Sequence, residues 1–390
     1  MTEDKEKWQL TVDFIMIIGK YFKTSKDFIN VMKVCKRYEE LVTMYKFNPI
    51  SDHSLFENIQ TQHFYNQGDV KNKKNNMYKY IYWFKKCYNR NDIINENEEY
   101  KELYFYTQDI PIENGCINIP EKAKVIRSTY LSTNEQITNV KFNNNLKEIG
   151  EDCFRYSNIK YINIPESIIK LNNDCFSNCT KLTNITLPSC LKEIGNRAFF
   201  NTGIKSIIIP NSVSKIGFSC FNYCSQLTNI ILSTNLLELN TDLLNNTKIN
   251  EIIIPEGVTN IGNNCFEYCY QLTNITLPSS LKEIGNFVFH KTAITTVTIP
   301  EGLTKIGDGC FCECSKLTNI TLNENLTELP YKLFYDSSIK NIIIPEGIKI
   351  IYDNCFGNCS LLLEVYIYNR NIKISNTAFN ETKANLIFLD

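Results

Sequence analysis

The chain has 390 residues, more than one hydrophobic core usually supports, so its length excludes a single small globule and points to two domains or an elongated array. With 41 Lys and Arg against 42 Asp and Glu the formal charge is −1, which provides no global field to draw in nucleic acid or an anionic membrane. The first ten residues carry Glu3, Asp4, Lys5, Glu6 and Lys7 and lack the apolar core of a secretory signal. The apolar run 14–18 falls far short of the roughly 20 residues a membrane helix needs, and no prenylatable cysteine stands four from the end. A soluble, cytoplasmic protein with no membrane insertion is expected.

Residues 1–108 are expected to form a small all-α domain that caps the remainder of the chain. Trp8, Val12, Ile15, Ile18 and Phe22 recur at three- and four-residue spacing, as do Phe28, Val31, Cys35, Tyr38 and Val42, the pattern of two amphipathic helices. Thr24 or Ser25 can cap the second, and Asp27 suits the positive end of its dipole. After Asn48-Pro49 comes a basic link, residues 71–76, and then a third aromatic-rich segment, 77–88, also assigned to this helical domain. Lys71, Lys73 and Lys74 beside Tyr78, Tyr80, Tyr82 and Trp83 could suggest stacking on nucleic acid; a solvated loop next to an amphipathic segment explains them more simply, and no nucleic-acid partner is expected.

Residues 109–390 read as a repeat domain. Phe154, Phe199, Phe289, Phe334 and Phe379, with Leu244 in the gap, lie on a 45-residue period, and Phe176, Phe221, Phe266, Phe311 and Phe356 form a second series on the same period. The series interleave, so coils alternate between 22 and 23 residues, the mark of a solenoid. A longer echo, Leu187-Pro-Ser returning at Leu277 while Leu232 and Leu322 share another version, suggests duplication of a four-coil block. Each coil has a short strand with two inward apolar residues, from Ile117/Ile119 through Ile185/Leu187 to Ile387/Leu389, thirteen strands in all. At about 4.8 Å per strand the parallel stack runs on the order of 60 Å. Pro often ends the strand, as at Pro188, because it has no N–H to donate; Gly150, Gly195 and Gly217 suit a turn, yet Pro330 and Tyr352 share their column, so a positive φ is not obligatory there.

The coil pattern, Leu-x-x-Ile-x-Leu-Pro-x-x-Leu-x-x-Ile-Gly-x-x-x-Phe over residues 272–289, resembles the leucine-rich repeats of BspA-like proteins, known from bacterial surface antigens and expanded in protist parasites. The resemblance covers roughly three quarters of the chain. It implies a leucine-rich repeat solenoid with its parallel sheet on a concave face, short helical or irregular turns on the convex face, and protein recognition as the activity. Residues 13–22 and 27–29, then Val34-Cys35-Lys36-Arg37-Tyr38, look like an F-box, although the Leu-Pro that opens an F-box is missing. That likeness implies an Skp-type adaptor docked on residues 10–42 and a substrate-recruiting role in a ubiquitin ligase. A third reading, a surface adhesin as in the bacterial relatives, needs export without a signal.

Chemistry-bearing residues are sparse. His53, His63 and His290 sit in no triad or metalloprotease context, and glycines occur singly, so neither a catalytic residue nor a phosphate loop is expected. Cys175/Cys179, Cys220/Cys224, Cys265/Cys269, Cys310/Cys314 and Cys355/Cys359 recur every second coil and could be drawn as disulfide or zinc ladders. Alternate coils place Ala198, Val288, Ser157, Thr202 or Thr292 in those columns, so buried reduced thiols in columns that accept small residues are the simpler assignment. Cys312 lies in the densest cluster with no obvious fourth ligand. No metal and no cofactor are expected. Sequons at Asn184, Asn274 and Asn319 fall on strands, where glycosylation is not expected.

The candidate binding surface is the outward side of the strands. One column holds Thr186, Ile208, Ile231, Ile253, Thr276, Thr298, Thr321, Ile343, Tyr366 and Phe388, and its neighbour holds Asn184, Asn229 and Asn274. Three consecutive isoleucines flanked by amides form an apolar strip of the kind that marks partner sites, although β-branched residues are also favoured on exposed strands in general. Because only Asp390 comes after the thirteenth strand, a flexible last coil or an edge-to-edge homodimer through residues 386–389 is expected. The resulting expectation is a non-enzymatic interaction protein with a partner on the concave sheet.

Overall fold

The computed structural model describes residues 110–128 and 134–389 continuously, together with residues 23, 24, 26, 27, 30, 61–64, 79–82, 86–88, 98–100 and 103–106. By its contacts the chain forms two units, Met1–Phe105 with Lys122–Val125, and Tyr106–Glu121 with Ile126–Asp390.

In the first unit Lys26, Asp27 and Asn30 are helical. Thr24 caps them in a reciprocal arrangement: the Asp27 amide donates to the Thr24 carbonyl at 3.1 Å, while the Asp27 carboxylate accepts from the Thr24 amide at 2.8 Å and the Thr24 hydroxyl at 3.0 Å. Those bonds, the Thr24 amide first, hold the Asp27 carboxyl below its ordinary value. The rest of the helical and F-box-like stretch 10–42, and the basic link 71–76, lie outside the described residues. Within segment 77–88 the described residues, 79–82 and 86–88, are strand rather than helix. Lys79–Tyr82 is a strand paired in parallel with Thr61–Phe64 and with Glu98–Tyr100, and Lys86–Tyr88 pairs in parallel with Leu103–Tyr106. The all-α expectation for residues 1–108 therefore fails over these segments. Tyr78, Tyr80 and Tyr82 recur at every second position, the period of a strand, and aromatic residues fit a pleated surface better than a crowded helical one.

The second unit is a parallel β-solenoid. Thirteen strands of one column run from Cys116–Asn118 to Asn385–Phe388 among the described residues, each inserting apolar side chains such as Ile207 and Ile209 into the core. A turn comes next. Where Pro opens it, the Pro carbonyl accepts the amide three residues on, as from Val213 to Pro210 at 2.9 Å and from Val258 to Pro255 at 3.0 Å. At Asn143 and Asn323 a side-chain oxygen serves instead: Asn323 Oδ1 accepts from the amides of Asn325 and Leu326, both at 3.1 Å, and its Nδ2 donates to the Leu303 carbonyl at 3.0 Å. Replacing Asn323 by Ala leaves the buried Leu326 amide without this acceptor, and a fall of about 1–3 kcal/mol in denaturant-measured stability is expected.

The turn leads into a short strand, such as Glu193–Ile194 or Lys215–Ile216, and then into the Phe turn. Here two residues per coil are left-handed, at positions two before and two after the Phe, for example Arg197 (φ 53°) and Asn201 (φ 52°), except at Phe379, where only Glu381 is. Their amides and that of Phe199 donate to the next coil, reaching Phe218, Asn222 and Cys220 carbonyls at 3.0, 2.9 and 3.0 Å. Those bonds offset the cost of left-handed backbone in non-glycine residues. Between the turns the two phenylalanine series merge into one ladder. Phe154, Phe176, Phe199 and Phe221 stack at 5.4, 5.6 and 5.4 Å, Leu244 interrupts, and the stack resumes from Phe266 to Phe379 at 5.0–5.8 Å.

The two strand columns are broken in a staggered way. Long strands pair across 23-residue steps, as Ser206 with Asn229 and Glu251 with Asn274, leaving separate sheets at the intervening 22-residue steps. Short strands stay paired at those steps, as Glu193 with Lys215 and Glu238 with Asn260, and break between Lys215–Ile216 and Glu238–Leu239 and again between Lys305–Ile306 and Glu328–Leu329. Pro330 stands just after the second of these breaks and has no N–H to extend the ladder; after the first, the Asn240 side-chain amide, at 2.7 Å, bonds the Ile216 carbonyl. Breaks on one face are thus backed by pairs on the other.

The last strand corrects one detail. Val365 and Ile367 stand opposite Leu386 and Phe388, so Leu386 and Phe388, not Ile387 and Leu389, continue the inward column. This final step is one residue shorter than the repeat implies, and in a strand a shift of one exchanges the faces. Phe388 is thus in register with the inward column, although its side chain stays 44% exposed.

Candidate functional site

The outward columns assemble as the strand alternation requires. Asn184 and Thr186 flank Ile185, Asn229 and Ile231 flank the buried Ile230, and Asn274 and Thr276 flank Ile275. Registers place Ile208 opposite Ile231, Ile253 opposite Thr276, Thr298 opposite Thr321, and Ile343 opposite Tyr366. Ile208, Ile231 and Ile253 are 66%, 54% and 74% exposed, values that leave more than half of each residue's surface in solvent. Tyr366 is half-buried, and its hydroxyl donates to Glu364 at 2.6 Å.

Across the strands Asn229–Ile231, Glu251–Ile253 and Asn274–Thr276, over the interruption between the first two, lies an open groove of about 760 Å³. Ile231 and Ile253 supply its apolar wall, and Asn229, Glu251, Asn274 and Thr276 its polar groups. A second groove of about 330 Å³ is lined by Thr321, Ile343 and Tyr366 together with Asn319 and Asn341. Each combines an apolar strip with a row of amides that can donate and accept, which suits side chains and backbone of a protein partner.

The cysteine columns face the core. Cys179 Sγ donates to the Phe154 carbonyl at 2.9 Å and meets Ser157 Oγ at 3.2 Å; Cys224 repeats this with Phe199 and Thr202, and Cys269 with Leu244 and Thr247. Burial pushes the Cys179 thiol up to about 12 and Cys224 up to about 11, which suppresses the reactive thiolate. These are free, buried thiols. Size is not the limit in the first column, however, because Leu243 and Leu333 also occupy it and are fully buried.

One cluster has no signature in any linear motif. Glu267, His290 and Cys312 each come directly after a ladder residue, Phe266, Phe289 and Phe311, in three successive coils, so stacking lines them up. His290 Nδ1 lies 2.9 Å from Glu267 Oε1, and His290 Nε2 lies 3.2 Å from Glu313 Oε1. Glu267 is fixed in turn by Asn245 Nδ2 at 3.1 Å, and Glu313 Oε2 pairs with Lys291 at 3.3 Å. Burial works to raise the Glu313 carboxyl, and its contacts with His290 and Lys291 outweigh this and hold it below the ordinary value. Comparing the residue after each Phe, coil by coil, would have revealed the column.

The family of BspA type leucine-rich repeat regions (6 copies) matches residues 98–224, 192–314 and 282–389, which together span most of the chain. The chain belongs to the BspA-type leucine-rich repeat family. The repeat lengths, the Phe ladder and the strand column described above are this chain's form of that family's coil. Among solved structures, a leucine-rich repeat protein from Bacteroides ovatus is 22% identical over 70% of this chain and 92% of its own, with a TM-score of 0.53, a likeness of fold. A leucine-rich cell surface protein from Faecalibacterium prausnitzii is 23% identical over 72% of this chain and 89% of its own, TM-score 0.41. The pneumococcal vaccine antigen PcpA is 17% identical over 78% and 83%, TM-score 0.44. No curated protein matches the chain. No helix among the described residues is long and apolar enough to cross a membrane.

Proposed function

We propose that this BspA-type protein is a non-enzymatic recognition scaffold that binds a protein partner along the outward face of its long strands, centred on Ile208, Ile231 and Ile253. The observation that carries this reading is the contiguous exposed strip of three isoleucines with a groove between two of them, bordered by Asn229 and Asn274. Family membership supports it, since leucine-rich repeat folds generally serve as protein-interaction surfaces or surface antigens. The stacked coils hold these side chains in place before a partner arrives, so binding orders little.

The triple variant Ile208→Lys, Ile231→Lys and Ile253→Lys decides the matter. Affinity purification from the source cell followed by mass spectrometry is expected to lose the partners retained by the unsubstituted chain, by tenfold or more, with an unchanged circular dichroism spectrum. Retention of every partner by a folded triple variant removes the proposal. A second reading has residues 10–42 dock an Skp-type adaptor; the Thr24–Asp27 cap supports a helix starting there. It requires that an Skp-like protein co-purify with the full chain.

A further inference from the structure

We propose that His290, Cys312 and Glu313 form a binding site for a zinc-like divalent transition-metal ion, with Glu267 as the group that orients His290. The repeat makes such a site possible. Equivalent positions of successive coils stack, so one ligand-type residue per coil brings donor atoms into coordination range without any loop built for the purpose. The column supplies Glu267, His290 and Cys312 in a row, while its preceding members are Phe200, Asn222 and Asn245 and its later ones Tyr335 and Gly357. Ligating side chains are thus concentrated in three consecutive coils.

The donor atoms of His290, Cys312 and Glu313 all lie within 4.8 Å of one another, with His290 Nε2 and Glu313 Oε1 3.2 Å apart. Tetrahedral zinc, with bonds of about 2.0–2.3 Å, needs its ligand atoms about 3.3–3.8 Å apart, so closing the triangle takes shifts of about 1 Å or less. His290 and Cys312 are buried, and the rings of Tyr268 and Phe287, 5.4 and 5.7 Å from the imidazole, flank it.

The imidazole gives independent support. With Glu267 accepting from Nδ1–H, a neutral imidazole presents its Nε2 lone pair to Glu313 Oε1, whereas an imidazolium donates to both carboxylates. Two lone pairs at 3.2 Å repel unless a proton or a cation lies between them. A carboxylate on the far nitrogen of a histidine is the arrangement that metal-ligating histidines use to gain basicity. A mixed nitrogen, sulfur and oxygen donor set favours zinc or cobalt over magnesium or calcium, and three protein ligands leave the fourth position to water.

The test uses the full chain, reduced with a non-chelating phosphine, titrated with Co²⁺ alone and then with Zn²⁺. One equivalent of Co²⁺ is expected to produce a thiolate-to-cobalt charge-transfer band, which Zn²⁺ abolishes. Cys312→Ser removes the band, and Glu267→Ala retains it while weakening binding about 10–100-fold. Cys314→Ser, which alters a core thiol, leaves the band in place. No band with the unsubstituted chain, or a band that survives in Cys312→Ser, overturns the proposal. Should Cys312→Ser fail to fold, the Glu267→Ala titration decides: unchanged affinity there refutes the assigned geometry.

Discussion

Phe289→Ala is expected to cost about 3–5 kcal/mol, among the largest effects of any single truncation in this chain. The ring is fully buried and stacks on two neighbours, Phe266 at 5.6 Å and Phe311 at 5.2 Å, so its removal empties a site whose walls belong to three different coils. Collapse is hindered because each coil's position is fixed by backbone bonds on either side of the ring, including Phe289 N to the Cys310 carbonyl at 2.9 Å. The fall should be visible as a lower denaturant midpoint. Phe379→Ala provides the contrast: that ring is half-buried and stacks on Phe356, at 5.0 Å, on one side of the ladder only, and a clearly smaller loss is expected. Equal losses in the two variants would mean that the ladder is not where the stability resides.

Gly217→Ala is expected to destabilise by about 1–3 kcal/mol or more, a large effect for the addition of one methyl group. The reason is proximity between coils. A Cβ at Gly217 would fall 2.3 Å from the Asn196 amide nitrogen and 2.6 Å from its Cα, and backbone atoms cannot swing aside as a side chain can. The neighbouring coil must move, which lengthens the bond from the Gly217 amide to the Ile194 carbonyl, now 2.8 Å. Faster hydrogen exchange at residue 217, together with a lower midpoint, is the expected signature; wild-type exchange at that amide would refute the steric account.

These glycines show what was legible in the chain and what was not. Their column admits Pro330 and Tyr352, which excludes an obligatory positive φ, and in the structure the left-handed residues stand elsewhere, at positions such as Arg197 and Asn201. Nothing in a single coil marks those two positions, because the strain is repaid by carbonyls of the next coil. The Phe ladder was readable because one large residue recurs at a fixed period and has one place to go. The outward columns came from strand alternation, and failed only at Phe388, where a single missing residue reversed the faces. The aromatic richness of stretch 77–88 suits a helical face as well as a strand, and only its every-other-residue spacing distinguishes the strand. His290 sits in no linear motif, because its neighbours in space come from other coils. In a solenoid, chemistry is written down the columns.

The staggered breaks of the two strand columns have a mechanical consequence. Masonry laid in running bond resists cracking because no vertical joint continues from one course to the next. Here the open seam between Asn229–Ile231 and Glu251–Ile253 is bridged by the pair Glu238–Asn260, and the seam before Glu238 is bridged by Ser206–Asn229. A pulling force along the stack therefore meets no plane along which both ladders are already open, and rupture at any seam must tear a bonded pair as well. Stretched between two anchors, the array should hold to a sharp yield and then give way over several coils together.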